Sequence, residues 1–349
     1  LRIDYSDNAN GEILTEGEAT NYCTYSKNLA NDDNVSSGGD GSGTITRNYS
    51  TAPTGNLEAS RFEASISNTS SSSNYALFGF DESGAGVVPS KSISLWMKSN
   101  TGSSQYITLY SSRLTTGDFD FSDSGARGIY LEVTTEWKRF TLSGEYTGGA
   151  SDFSAILAIR GGGFYAGSDN VDISFFQGQL EDALSPSSDI TTNGSVQTRA
   201  ADTGITTGDI SHLINSEEGV LEAVISTNDT NSSIKGISIN ESNGGATLNL
   251  VSIYFTSSNI TARVYEGGVN VYSQTYPFVS GTYYKVAIHY NNGTFKTFVD
   301  NVQIGSTTSS GSGFASGQLK YLDYKRGAFT NWFRGRASYV KIYDSANDY

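Results

Sequence analysis

Apolar and polar positions alternate with a period of two through most of the chain. SRFEASIS, YALFGF, KSISLWMKS, QYITLYSS, RGIYLEVT, KRFTLSGEY, FSAILAIR and VDISFFQGQLE follow one another between residues 60 and 181. Turn-forming residues separate them at intervals of roughly ten residues, the spacing of an antiparallel sandwich. The pattern breaks over residues 183–218, ALSPSSDITTNGSVQTRAADTGITTGDISHLINSEE, which is polar and turn-rich. Alternation then returns in GVLEAVIST, IKGISIN, ATLNLVSIYF, ITARVYE, VNVYSQTY, YYKVAIHYN, GTFKTFVDN, VQIGS, QLKYLDY and NWFRGRASYVKIYD. A helical period is not evident in the first block, and no short tandem repeat suggests a solenoid or propeller. The pattern predicts an all-β chain of two tandem antiparallel sandwiches. The first spans residues 1–190, with 1–30 as an entry segment of two short strand-like pieces. A polar linker occupies 191–216, and the second sandwich spans 217–349. Residues 31–60 read as loop with one short extended piece around TITRNYS.

Composition supports this reading and narrows the partners. A chain of 349 residues is long for one core, and 39 glycines with only 4 prolines suit short strands joined by turns. Aromatic residues at 12% argue against disorder. The net charge of −14 disfavours a nucleic-acid partner and an anionic membrane surface. No apolar run approaches the ~18 residues that a spanning helix needs, so membrane insertion is not expected. One cysteine, Cys23, excludes an internal disulfide and multi-cysteine metal sites. The start Leu-Arg-Ile-Asp, without Met or a signal peptide, reads as a fragment or a processed product.

Specific strings add a resemblance. LRIDYS followed by GEILTEGEATNYCTYS is similar to a pattern of tailed-phage structural proteins, with Gly17-Glu18-Ala19 where that pattern has Pro-Gln-Arg. SISLWMKSN (92–100), EWKRFTLSG (136–144) and ISFFQGQLED (173–182) resemble strands of the carbohydrate-binding-module jelly roll in those proteins, and VQTRAADT (196–203) resembles its closing signature. EEGVLEAVIS (217–226), TYYKVAIHYNNGTFKTFVDNVQIGS and FRGRASYVKIYDSA (333–346) resemble strands of a concanavalin A-like, laminin-G-like lectin domain. In that comparison Asn301 takes the place of a turn glycine, which Asn tolerates. The resemblance implies two jelly-roll β-sandwiches in a virion appendage such as a tail or head fibre. It implies a place on the virion surface or outside the cell, with other virion proteins and bacterial surface glycans as partners. Fibres are often homotrimers, although no heptad or repeat marks one here.

The candidate chemistry is aromatic. In KSISLWMKS, Ile93, Leu95 and Met97 share a face, leaving Trp96 on the other. In QYITLYSS, Ile107 and Leu109 leave Tyr106 and Tyr110 opposite, and in RGIYLEVT, Ile129, Leu131 and Val133 leave Tyr130 and Glu132. If those strands are neighbours, Trp96, Tyr106, Tyr110, Tyr130 and Glu132 form a polar-rimmed aromatic platform for sugar rings. The competing reading buries these aromatics under loops or a neighbouring subunit. Asp118, Asp120 and Asp123 in GDFDFSDSG alternate as oxygen ligands for Ca²⁺ would, but Phe119 and Phe121 interleave with them, and an edge strand is preferred. No other cofactor is expected. His289 falls on the less apolar face of YKVAIHYN, a surface or sheet-face histidine rather than a general base. His212 lies in the linker. Glu217 and Glu218 are adjacent, so a strand would face them oppositely, and Glu132 and Glu136 flank a strand end. Neither pair has the arrangement a glycoside hydrolase needs. The expectation is a non-enzymatic, glycan-binding appendage. Its alternatives are a purely structural assembly protein, a polysaccharide-degrading enzyme and a secreted bacterial lectin.

Overall fold

The computed structural model describes residues 2–4, 11–29, 34–81, 88–111, 113–115, 117, 119–121, 126–148, 153–202, 207–230, 235–242, 248–325 and 332–345. No α-helix occurs among them. The chain divides into two compact units, Glu18–Ala200 and Leu1–Gly17 together with Ala201–Tyr349. Strands β1 (Arg2–Asp4) and β2 (Glu12–Thr15) open the chain and belong to the second unit.

The first unit holds β3 (Ala19–Asn21), β4 (Asn34–Gly38), β5 (Ser42–Thr51), β6 (Leu57–Ser65), β7 (Tyr75–Asp81), β8 (Ser90–Ser99) and β9 (Gln105–Ser111). It continues through β10 (Phe119–Phe121), β11 (Ala126–Val133), β12 (Lys138–Glu145), β13 (Ser154–Arg160), β14 (Asn170–Glu181) and β15 (Gln197–Arg199). One antiparallel sheet runs in the order β10-β11-β9-β13-β7-β4, the other β12-β8-β14-β6-β5. Their inner faces meet in one core because alternation sends Ile107 and Leu109 inward from one sheet and Ile93, Leu95 and Met97 from the other, all fully buried. Phe78 sits at its centre, with ring centroids 4.9 Å from Phe175, 6.2 Å from Phe80 and 6.4 Å from Phe62. Replacing Phe78 by Ala is expected to destabilise this sandwich by about 4 kcal/mol, read from denaturant unfolding.

A charge is folded into the same unit. The side chain of Lys91 in β8 is wholly buried, its Nζ 2.8 Å from Asp182 Oδ1. The rings of Tyr146, Phe153 and Tyr22 stand 4.9, 5.3 and 5.9 Å from that nitrogen. Anion and ring faces together replace part of the hydration the ammonium loses.

The second unit adds β16 (Glu218–Ser226), β17 (Lys235–Asn240), β18 (Leu250–Phe255), β19 (Asn259–Glu266), β20 (Val269–Pro277), β21 (Tyr284–Asn291), β22 (Thr294–Val299), β23 (Val302–Ser309), β24 (Tyr321–Asp323) and β25 (Gly335–Tyr343). Its sheets run β1-β2-β25-β16-β21-β22-β23 and β20-β19-β18-β17-β24, again antiparallel. Leu221, Ala223 and Ile225 face Val251, Ile253 and Phe255 across its core. The turn expected at Asp300-Asn301 is present, with φ of 50° and 67° at those residues, the geometry of a two-residue hairpin turn.

The structure corrects the sequence boundaries in three places. Residues 1–17 do not enter the first sandwich: Ile13 and Leu14 of β2 pair with Ala337 and Arg336 of β25. The expected linker is not free chain. Its first part is held in the first unit, where β15 pairs with β3, Thr192 N–H donates to Ser26 Oγ (2.8 Å) and Gly194 N–H donates to Thr24 O (2.8 Å). Its last part lies in the second unit, where Thr207 and Ile210 N–H donate to Leu322 and Lys320 carbonyls. Residues 31–60 contain β4 and the ten-residue β5, not one short piece. The last two share a cause: these segments are fixed by hydrogen bonds or lie at a sheet edge, where strands need no apolar side chains, so hydrophobic period does not register them. The first has another: period marks a strand but does not say which sheet it joins.

Candidate functional site

Strands β9 and β11 are adjacent, and their register places Tyr106 opposite Glu132, Tyr130 opposite Thr108 and Tyr110 opposite Gly128. Leu131 and Val133 face the core, so Tyr106, Tyr130 and Glu132 face outward. Tyr106 and Tyr130 are each 39% exposed, and Glu132 is exposed beside Tyr106.

The connection from β13 to β14, GGGFYAGSD, folds onto this outer face. Tyr130 Oη donates to Gly163 O at 2.9 Å, and Tyr106 N–H donates to Ser168 Oγ at 2.9 Å. Gly167, at φ +123°, passes over the Tyr106 ring so closely that a Cβ there would lie 3.5 Å from Tyr106 Cγ. The loop brings Tyr165, 37% exposed, to its tip. Phe164 instead packs, with Leu77 and Ile156, against the cluster of Tyr110 and Ala158. Tyr110 is thereby only 6% exposed, and burial pushes its hydroxyl up to about 12. Arg160 braces the loop, its guanidinium 5.0 Å from the Phe164 ring and 5.4 Å from Tyr75, with Nε donating to Ser72 O at 2.7 Å.

The expected five-residue platform is therefore divided. Tyr106, Tyr130 and Glu132 stand together. Tyr110 shares their sheet but is roofed by Phe164. Trp96 is elsewhere, because β8 is flanked by β12 and β14 in the other sheet. Alternation assigns a residue to a face of its strand but does not say which sheet the strand joins. Tyr165 was not among the expected residues. Its only signal is a Phe-Tyr pair following three glycines between two strands. Of the calcium candidates, Asp118 and Asp123 lie outside the described residues, and Asp120 is described only as backbone in β10. Among the described residues no group of three or more His, Cys, Asp or Glu side chains could hold a metal ion.

His289 lies on the outward side of β21, opposite Val220 of β16 and Lys296 of β22, with its ring 4.6 Å from Phe298. Burial, reinforced by Lys296 and opposed by Glu222, lowers its pKa to about 4. Such a histidine is neutral at pH 7 and is no proton donor there. In the unfolded chain it would titrate near 6.5, so unfolding takes up a proton below that pH. Stability is expected to be full above about pH 6.5 and to fall as the pH drops toward 4. Unfolding midpoints across that range should fall less steeply for His289→Gln, and equal slopes would show that His289 contributes nothing. Buried carboxylates elsewhere are occupied. Glu12 accepts from Tyr283 Oη and Ser338 Oγ, Glu181 from Gln179 Nε2 and Ser187 N–H, and Glu222 lies 3.1 Å from Lys285 Nζ.

No protein-family model and no curated protein sequence matches the chain. Among solved structures it is similar to the CBM40 module of the Ruminococcus gnavus IT-sialidase bound to alpha2,3 sialyllactose. That match has 16% identity and a TM-score of 0.33, and it covers 41% of this chain and 91% of the module. A native heptameric SAP-like pentraxin from Limulus polyphemus matches at 13% identity and a TM-score of 0.32, covering 38% of this chain and 67% of its own. The Caenorhabditis elegans galectin LEC-6 matches at 12% identity and a TM-score of 0.28, covering 40% of this chain and 91% of its own.

Proposed function

We propose that the first sandwich binds carbohydrate on the outer face formed by β9, β11 and the β13–β14 loop. The carrying observation is the placement of Tyr106 and Tyr130, each more than a third exposed, on adjacent strands with the exposed Glu132 opposite Tyr106, while the loop tied to both carries a third exposed ring, Tyr165. Tyrosine faces stack on the C–H faces of sugar rings, and a carboxylate accepts hydrogen bonds from their hydroxyls. Two of the rings stand on a sheet, and the loop is tied to both, so little ordering entropy is lost on binding. On this reading the activity is binding without catalysis, with Tyr106 rather than a second carboxylate opposite Glu132.

The resemblance to tailed-phage virion proteins supports a finer reading. The chain would be part of a virion appendage, exposed at the particle surface, that recognises glycans of the bacterial envelope. A glycan array of bacterial surface polysaccharides tests the binding. The intact chain is expected to retain a subset of them, and Tyr106→Ala to lose the neutral members of that subset at an unchanged unfolding midpoint. An array without retained glycans would leave the assembly role as the better reading.

A further inference from the structure

The opposite outer face of the first sandwich carries a second, chemically different cluster. In the sheet β12-β8-β14-β6-β5, register sets Arg139 of β12 opposite Trp96 of β8 and Trp96 opposite Phe176 of β14. One step along, Lys98 is opposite Ser174, and Lys98 Nζ lies 5.3 Å from the Trp137 ring. Cation and indole thus alternate in both directions: Trp137 beside Lys98, Arg139 beside Trp96. The indoles rest on an apolar floor of Phe176, Ala52 and Ala59.

Their edges are fixed. Trp96 Nε1 donates to Asp189 Oδ2 at 2.9 Å, and Trp137 Nε1 donates to Thr51 O at 3.1 Å. Asp189 is also 3.2 Å from Arg139, whose guanidinium donates to Ser94 Oγ at 2.7 Å. Asp189 is therefore matched by an arginine. Lys98 has no carboxylate partner among the described residues, and its contact is the Trp137 ring. In a chain of net charge −14, a partly buried lysine held against an indole is a local exception.

We infer that this face is a second carbohydrate site, selective for acidic sugars: a hexuronate ring stacks on Trp96 or Trp137, and its carboxylate pairs with Lys98. Charge complementarity selects this occupant. Side chains two apart on a strand are ~6.6 Å apart, a spacing that lets one sugar span indole and ammonium together. A neutral sugar would use the indoles but leave the lysine unused, and a phosphate or sulfate group alone would use the lysine without the stacking. The Tyr106 face offers a carboxylate instead of a cation, so the two faces should sort glycans by charge.

The test is a calorimetric and tryptophan-fluorescence titration of the intact chain with tetragalacturonate, with maltotetraose as the neutral probe. Tetragalacturonate is expected to quench tryptophan emission and to bind more weakly as salt rises. Lys98→Ala should weaken it at least tenfold and Trp137→Ala similarly, while Tyr106→Ala leaves it unchanged. Unfolding midpoints of the variants confirm that each is folded, and Lys98→Arg should restore most of the affinity. No binding of tetragalacturonate, equal binding of maltotetraose, or binding indifferent to Lys98→Ala would overturn the assignment. Because Tyr106→Ala is carried alongside, failure here is distinguishable from failure of the tyrosine face.

Discussion

Lys91→Ala is expected to cost the first sandwich about 3 kcal/mol, because it removes one partner of a buried ion pair and leaves a cavity among three rings. Asp182 keeps some contact with solvent, its side chain 18% exposed, so the loss falls at the lower end for breaking a buried pair. The sequence context gives the sign of the comparison with Lys91→Met. Methionine fills the volume and packs against rings, so it should recover the cavity part and leave only the unpaired carboxylate. Lys91→Met with Asp182→Asn should then approach the parent stability, since removing both charges removes the mutual dependence. Guanidinium unfolding of the three proteins measures this. If Lys91→Ala unfolds at the parent midpoint, the ring-lined ion pair contributes nothing.

That lysine also shows how far period can be read. KSISLWMKS gives the alternation that buries Ile93, Leu95 and Met97, and the structure places those side chains in the core. The same alternation puts Lys91 on the core side, where sequence alone offers no reason to keep a charge. The reason is long-range: Asp182, Tyr146, Phe153 and Tyr22 arrive from four other parts of the chain. The functional face divides in the same way. Tyr106, Tyr130 and Glu132 were legible because β9 and β11 are neighbours in one sheet and lie close along the chain, with only the three-residue β10 between them. Trp96 was misplaced because facing outward is a property of a strand, whereas sharing a surface is a property of the sheet order. Tyr165 was not legible because a loop has no period.

Deleting residues 1–17 should destabilise the second sandwich and leave the first intact. β2 lies between β1 and β25 in the seven-stranded sheet, and its loss turns β25 into an open edge. Leu14 is 9% exposed and Ile13 packs on the core, so removing them forfeits about 3 kcal/mol of apolar burial. The Thr15 hydroxyl donates to the buried Phe333 carbonyl at 2.5 Å, and Glu12 accepts from Tyr283 and Ser338. These groups lose their partners as well. Hydrogen exchange by mass spectrometry gives the readout. Faster exchange is expected across β25 and β16, with β8, β9 and β14 unchanged. Faster exchange in β8 and β14 instead would return the N-terminal residues to the first sandwich, where the hydrophobic pattern had assigned them.

Binding at the tyrosine face rests on ring accessibility and grouping, so the most direct measurement reads those rings. Hydroxyl-radical footprinting of the intact chain, with and without a neutral bacterial surface oligosaccharide that it retains, reports the solvent access of each tyrosine separately. Bound sugar is expected to protect Tyr106, Tyr130 and Tyr165 together and to leave buried Tyr110 as it was. Protection at other rings only, or at none while the sugar is bound, would contradict the account.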